Sequence, residues 1–192
     1  KTLPFISSGI KINRVEVWVT NKKGNFDNTQ TRNIVAFTDL GEPEKIALPS
    51  VSPSMATNGL PANQANSLYP LLVSMPNLRF IDQVTQELSG IMQGGRDYEK
   101  VESARLLNPA DYTVNSILGY ISLNMRLSAD EVLGIAFEYT YNGQVYQVGE
   151  FSTDRPDNST ENLYVKLLKG TAMSSVLALY DEKRLSVGRR RL

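Results

Sequence analysis

Carboxylates are the first side chains in this sequence that could do chemistry. Asp97, Glu99 and Glu102 lie close together and could hold a metal or share acid–base work. Paired carboxylates do such work when opposed surroundings split their pKa values. Here Lys100 and Arg105 are interleaved with them, and the stretch reads as an ion-paired, solvated surface. The run Asp154-Arg-Pro-Asp-Asn-Ser-Thr-Glu161 has the oxygen density of a calcium loop. It lacks the alternating ligands, the central glycine and the twelfth-position glutamate of an EF-hand, so it reads as an Asx-rich turn. Within it, Asn158-Ser159-Thr160 matches a glycosylation sequon, a pattern frequent by chance. Gly94-Gly95 follows a predicted helix instead of joining a strand to one, which is the wrong context for a phosphate cradle. The basic run Arg189-Arg190-Arg191 is too short for a nucleic-acid surface.

Aromatic residues offer the other route to a site. Trp18 projects from a strand to the face opposite Val15, Val17 and Val19, where it could serve as a ligand platform. A strand buried on both faces explains it better. Tyrosines at 112, 120, 139, 141, 146 and 164 could line a carbohydrate groove, but at strand spacing they read as packing residues with hydroxyls at a rim. Composition narrows the field further. The 192 residues contain no cysteine and no histidine, so thiol nucleophiles, thiolate metal sites and serine–histidine triads cannot be built from this chain. Hydrophobic residues make up 41% and the formal net charge is zero, which excludes a disordered polyelectrolyte and argues against a nucleic-acid partner. No catalytic residue, metal ligand or cofactor is expected.

The elements that would position these residues are mostly strands. Arg14-Val-Glu-Val-Trp-Val-Thr20 alternates cleanly, and Asn33-Ile-Val-Ala-Phe-Thr-Asp-Leu40 reads as a second strand antiparallel to it. Asn21 to Asn28 is a polar connection, and Gly41 to Pro61 a long irregular one. The middle differs. Phe80, Ile81, Val84, Leu88 and Ile91 recur at helical spacing, so a helix is predicted from Leu78 to about Met92, capped by Asn77 and stopped by Gly94-Gly95. A shorter helix is possible between about Asn63 and Val73. Strand patterns return at Tyr112–Val114, Gly119–Leu123 and Leu163–Leu168, with Tyr98–Leu107 ambiguous.

The strongest local signal is Asn142-Gly143, which supplies the two φ > 0 residues of a type I′ turn between alternating segments. A two-residue loop sets Tyr141 opposite Gln144, Tyr139 opposite Tyr146, Phe137 opposite Val148 and Ile135 opposite Glu150. The aromatic and branched side chains on one face form a ladder worth roughly 0.2–1 kcal/mol per pair. Asn142, Gly143, Tyr139, Tyr146, Phe137 and Val148, with Trp18, are the residues expected to carry structural weight.

Several long strings resemble the SprA family, the very large outer-membrane translocon proteins of type IX secretion and gliding motility in Bacteroidetes. They are Asn13-Arg-Val-Glu-Val-Trp-Val-Thr-Asn21, Thr31-Arg-Asn-Ile-Val-Ala-Phe-Thr-Asp-Leu-Gly-Glu42 and Asp97-Tyr-Glu-Lys-Val-Glu-Ser-Ala-Arg-Leu-Leu107. Two more are Leu118-Gly-Tyr-Ile-Ser-Leu-Asn124 and the run from Ala129 to Asp154. Their order and approximate spacing fit as well, and the resemblance extends over most of residues 5–170. After Leu167-Leu-Lys-Gly-Thr171 the sequence departs from the family, and nothing is carried onto the tail ending in Leu192.

The resemblance implies a small insertion domain of a much longer barrel protein, consistent with a chain that opens strand-like at Lys1 without an initiator methionine. It also implies an outer-membrane-associated location, on the periplasmic or the extracellular face. Expected partners are other parts of the same translocon chain, accessory outer-membrane proteins and secreted cargo. The expectation is therefore a mainly β (α+β) fold. It would be an antiparallel, sandwich-like β-rich domain over 1–170, with one or two helices inserted near 63–93 and a divergent tail at 171–192. Its function would be non-catalytic. The alternative is a free-standing surface module, for instance one binding glycans through Trp18 and the tyrosines.

Overall fold

Strict alternation becomes strand wherever both faces find apolar cover. The computed structural model describes residues 9–22, 31–115, 120–156 and 160–172. Its strands are β1 (Ile10–Val19), β2 (Thr31–Phe37), β3 (Tyr98–Leu106), β4 (Tyr112–Asn115), β5 (Tyr120–Leu123), β6 (Leu133–Tyr141), β7 (Gln144–Val148) and β8 (Leu163–Lys169). Two short helices, α1 (Leu68–Val73) and α2 (Val84–Glu87), lie between β2 and β3. No helix among the described residues is long and apolar enough to cross a membrane.

The chain is mainly β, but the sandwich expectation is corrected. The large sheet runs β1-β3-β2-β8-β6-β7, and β1 also pairs along its length with β6, so five strands close into a barrel. Long β6 has room for two partners on its far edge, β8 at Leu133–Ile135 and β7 at Phe137–Tyr141. β1 and β2 are not neighbours, because β3 lies between them, antiparallel to both. Nor is the sheet wholly antiparallel, since β2 and β8 run parallel.

Closure gives the strands an inside and an outside, and both are dry. Trp18, Ile34, Ala36, Val101, Ala104, Ala136, Leu163 and Val165 pack inside, so the barrel is filled and not a pore. Space there is tight: a Cβ at Gly134 would sit 2.7 Å from the Cγ2 of Val165. Outside, Val35, Phe37, Tyr98 and Tyr164 are covered by the helical segment through Leu40, Leu68, Leu72, Leu78, Val84 and Leu88. Burying the five leucines of that set contributes on the order of 10 kcal/mol of gross transfer free energy. On the other flank the β4–β5 ribbon brings Ile121 over Val17, Val19, Ile135 and Phe137.

The long helix from Leu78 to Met92 does not form. Pro76–Arg79 makes a 3-10 turn, Phe80 is extended (φ −103°, ψ 123°), and α2 is four residues long. The cause is tertiary. The carbonyl of Arg79 accepts from the Asn162 amide (2.8 Å) and that of Leu78 from Asn162 Nδ2 (2.8 Å), which takes both away from a helical ladder. Phe80 and Ile91, expected on the buried stripe, are 50% and 40% exposed. Asn77 caps no helix and instead donates to Glu87 Oε1 at 3.1 Å. The shorter helix is α1, confined to the last part of its expected range.

Candidate functional site

At the Asn-Gly turn the backbone sets the geometry. Asn142 and Gly143 have φ of 50° and 80°, as a type I′ turn requires. Tyr141 pairs with Gln144, Tyr139 with Tyr146 and Phe137 with Val148. The Tyr139 and Tyr146 rings stack with centroids 5.3 Å apart, and Phe137 continues the stack 6.1 Å from Tyr139. Tyr139 is only 2% exposed, and its hydroxyl donates to the Pro61 carbonyl at 2.8 Å, fixing the long connection to the hairpin. Burial pushes that phenol above its usual range.

The ladder stops one pair early. Ile135 faces Lys166 of β8, not Glu150. The reason is Gly149, whose positive φ (77°) ends β7 and turns Glu150 under the helical segment. There Glu150 forms the most elaborate polar cluster among the described residues. Arg79 donates to it twice (2.6 and 2.7 Å), the Tyr69 hydroxyl once (2.9 Å), the Tyr164 amide once (3.0 Å) and Arg155 once (3.4 Å). The guanidinium of Arg79 also lies over the Tyr164 ring, 3.8 Å from its centroid, and donates to the Asn162 carbonyl. Burial works to raise the Glu150 carboxyl, but the Arg79 hydrogen bonds and charge, with the Tyr164 amide and Tyr69, hold it below the usual carboxylate range. Burial, then the Glu150 charge, pushes Tyr69 up to about 12.

No protein-family model matches this chain, and no curated protein matches it.

The chemistry of the cluster therefore has to be judged from its geometry. A general base needs a free lone pair and a pKa near the working pH. Glu150 has both oxygens occupied by donors and a depressed pKa, and Arg79 is spent on it. The cluster is a staple between the helical segment and the barrel. Two similar ties stand nearby. Lys166 donates to the carbonyls of Thr38 and Leu40 and to Glu42 (3.2, 3.2 and 2.6 Å), while Asn66 Nδ2 donates to the carbonyls of Asp39 and Glu42.

The remaining candidate residues are dispersed. Asp97 is buried and takes two bonds from Arg96 and one from the Gln93 amide. Glu99 accepts from the amide and hydroxyl of Thr171, and Glu102 faces solvent. Asp154 pairs with Arg14 at 2.8 Å, which holds its carboxyl low, and Arg14 lies 4.0 Å over the Phe151 ring. Among the described residues no three acidic side chains converge on a metal-sized site. Trp18 is 1% exposed inside the barrel, its indole N–H without a hydrogen-bond partner, so it cannot serve as a surface platform. Tyr164 is buried as well, and Tyr112, Tyr120, Tyr141 and Tyr146 are half-buried. The sequon at 158–160 and the terminal arginines fall wholly or partly outside the described residues. A small apolar crevice lies between the ribbon and the barrel, lined by Ile12, Val15, Val114, Tyr120, Ile121 and Phe137 among others.

Sequence reasoning missed Arg79, Glu150, Tyr69 and Asn162. A charged residue following the Gly149 break was the available sign that Glu150 leaves the ladder. Nothing local marks Arg79 as its partner.

Proposed function

We propose that this chain is a non-catalytic structural and interaction domain of a SprA-like type IX secretion translocon, shaping the conduit or docking accessory proteins and cargo. The observation that supports it most is where the resembling strings fall. They coincide with four of the five barrel strands (β1, β2, β3 and β6), with β7 paired on β6 and with β5 of the covering ribbon, and they leave out β8 and the helical segment. Its polar side chains reinforce the reading, since Glu150, Arg79, Lys166 and Asn66 are consumed in holding layers together. Such a domain acts through contact and shape, at the periplasmic or extracellular face of the outer membrane. The glycan-module alternative loses its main support with Trp18 inside the barrel.

Two tests decide. The surrounding gene should be very long, with barrel-strand alternation on either side of this segment; a short reading frame refutes the proposal. Replacing residues 9–172 of the full-length protein with a short linker should leave it in the outer membrane and stop cargo secretion. Normal secretion by that deletion also refutes it.

A further inference from the structure

The seam between β1 and β3 is incomplete. β3 pairs with β1 only at Trp18↔Leu106 and Val19↔Arg105, then leaves through Leu107, whose amide donates to the Val17 carbonyl (2.8 Å), and Pro109. In an antiparallel ladder successive residues point their backbone groups to opposite edges. The 2-residue hairpin commits Tyr139 and Tyr141 toward β7, so Glu138 and Thr140 face β1, and their partners Arg14 and Lys11 face back. Ile10, Ile12 and Val15 consequently turn their N–H and C=O groups outward. Two observations support that phase: the Val17 carbonyl meets β3, and the Val15 carbonyl accepts the Tyr112 hydroxyl (3.4 Å). Beyond Val15 no backbone partner meets the outward groups of Ile12 and Ile10 among the described residues.

We propose that the outer edge of β1 from Ile10 to Ile12 is a seat for strand addition, taken by an extended segment of another polypeptide with apolar side chains at alternate positions. The backbone argues for a strand, because main-chain donors and acceptors in a row at two-residue spacing are satisfied by another extended chain. Continuity argues for it too, since the incoming strand takes up the same edge that β3 already pairs at Trp18 and Val19. The choice of apolar side chains comes from the face. Residues opposite Ile10 and Ile12 share the outer face with them, beside the crevice that Ile12 and Val15 line with Phe137 and Ile121. Proline, one common guard of a free edge, is absent from Ile10–Val19, and the exposed side chain of Asn13 at the bulge reaches toward β6, donating to Glu138 and Thr140. This inference stands on the backbone geometry and is independent of the translocon reading.

Hydrogen exchange on the intact chain, with and without a synthetic peptide of alternating valine and threonine, tests it. In the free protein the Ile10 and Ile12 amides should exchange much faster than those of Arg14 and Trp18, and the peptide should slow them selectively. Ile12→Pro removes an outward donor and no bond to β6, so it should melt close to Ile12→Ala, which loses the same packing, and bind the peptide roughly tenfold more weakly than Ile12→Ala does. Ile10→Pro, at the first residue of the strand, should do the same relative to its own alanine variant and serves if Ile12→Pro unfolds. Ile10 and Ile12 amides as protected as Arg14 in the free protein, no peptide binding, or equal binding by a folded proline variant would each overturn the proposal.

Discussion

Replacing Arg79 with methionine should expose how much the Glu150 staple holds. The stem of methionine keeps most of the packing against Tyr164, but the carboxylate loses two charge-assisted bonds at 2.6 and 2.7 Å. With a side chain only 7% exposed, Glu150 cannot turn to water for replacement. Removing one partner of a buried ion pair costs about 3–5 kcal/mol, and the lower end applies here because Arg155, 3.4 Å from Glu150, still offsets part of the remaining charge. For a chain of this length that lowers the melting temperature by roughly 10 °C. The pH dependence is the sharper readout. In the parent, the Glu150 pKa lies below its ordinary value of 4.5, so its stabilisation is full above about pH 4.5 and fades as pH falls through the folded value. Without Arg79, burial is opposed only by Arg155, the Tyr164 amide and Tyr69, so the folded pKa moves up from its value in the parent. The variant therefore loses less stability on acidification than the parent does. Urea denaturation at pH 7 and pH 4 should show the gap between parent and Arg79→Met shrinking on acidification. Adding Glu150→Gln to Arg79→Met should cost less than the two single changes summed. A gap that is constant with pH, together with strict additivity, would refute the staple.

Two further outcomes follow from the hairpin and the buried phenols. Gly143→Val should destabilise by at least about 1 kcal/mol in thermal denaturation, since no atom would touch the new Cβ and the whole penalty is the φ of 80°; Gly143→Asn, which tolerates that region, should cost clearly less. Spectrophotometric titration should find tyrosines that ionise late. Tyr69 is raised to about 12, and Tyr139 and Tyr164 are raised by burial as well, so stability should fall as pH climbs above about 10, where their unfolded forms ionise. Tyrosine absorbance that titrates fully near pH 10 with the fold intact would contradict this.

The parts legible in the sequence are those whose cause is local. The turn at Asn142-Gly143 fixes its own register, and the alternation of Val15, Val17 and Val19 places β1 without outside help. What pairs with β1 is a different question. Its partner β6 and the parallel β2–β8 contact are chosen by a closure that no window of sequence contains. Helical spacing from Phe80 to Ile91 misled for a related reason: Asn162, far along the chain, claims the carbonyls of Leu78 and Arg79. Glu150 looked like one more rung of a ladder because Gly149 read as a strand residue; its φ of 77° changes the direction of the chain. For Trp18 the alternation favours a strand buried on both faces, and the closed barrel supplies the second face.

The β1–β6 seam also sets when this fold can exist. Asn13 and Glu138, joined across it, lie 125 positions apart, so the loop they close must be ordered before the contact gives any return. As the chain is synthesised or threaded, β1 emerges first and has neither of its strand partners until β3 and then β6 follow. Its apolar residues must stay open meanwhile, and β8, the last strand among the described residues, completes the ring by joining β2 to β6. Folding is therefore an event near the end of the segment, slow by topology, and a truncation before β8 should leave no barrel at all.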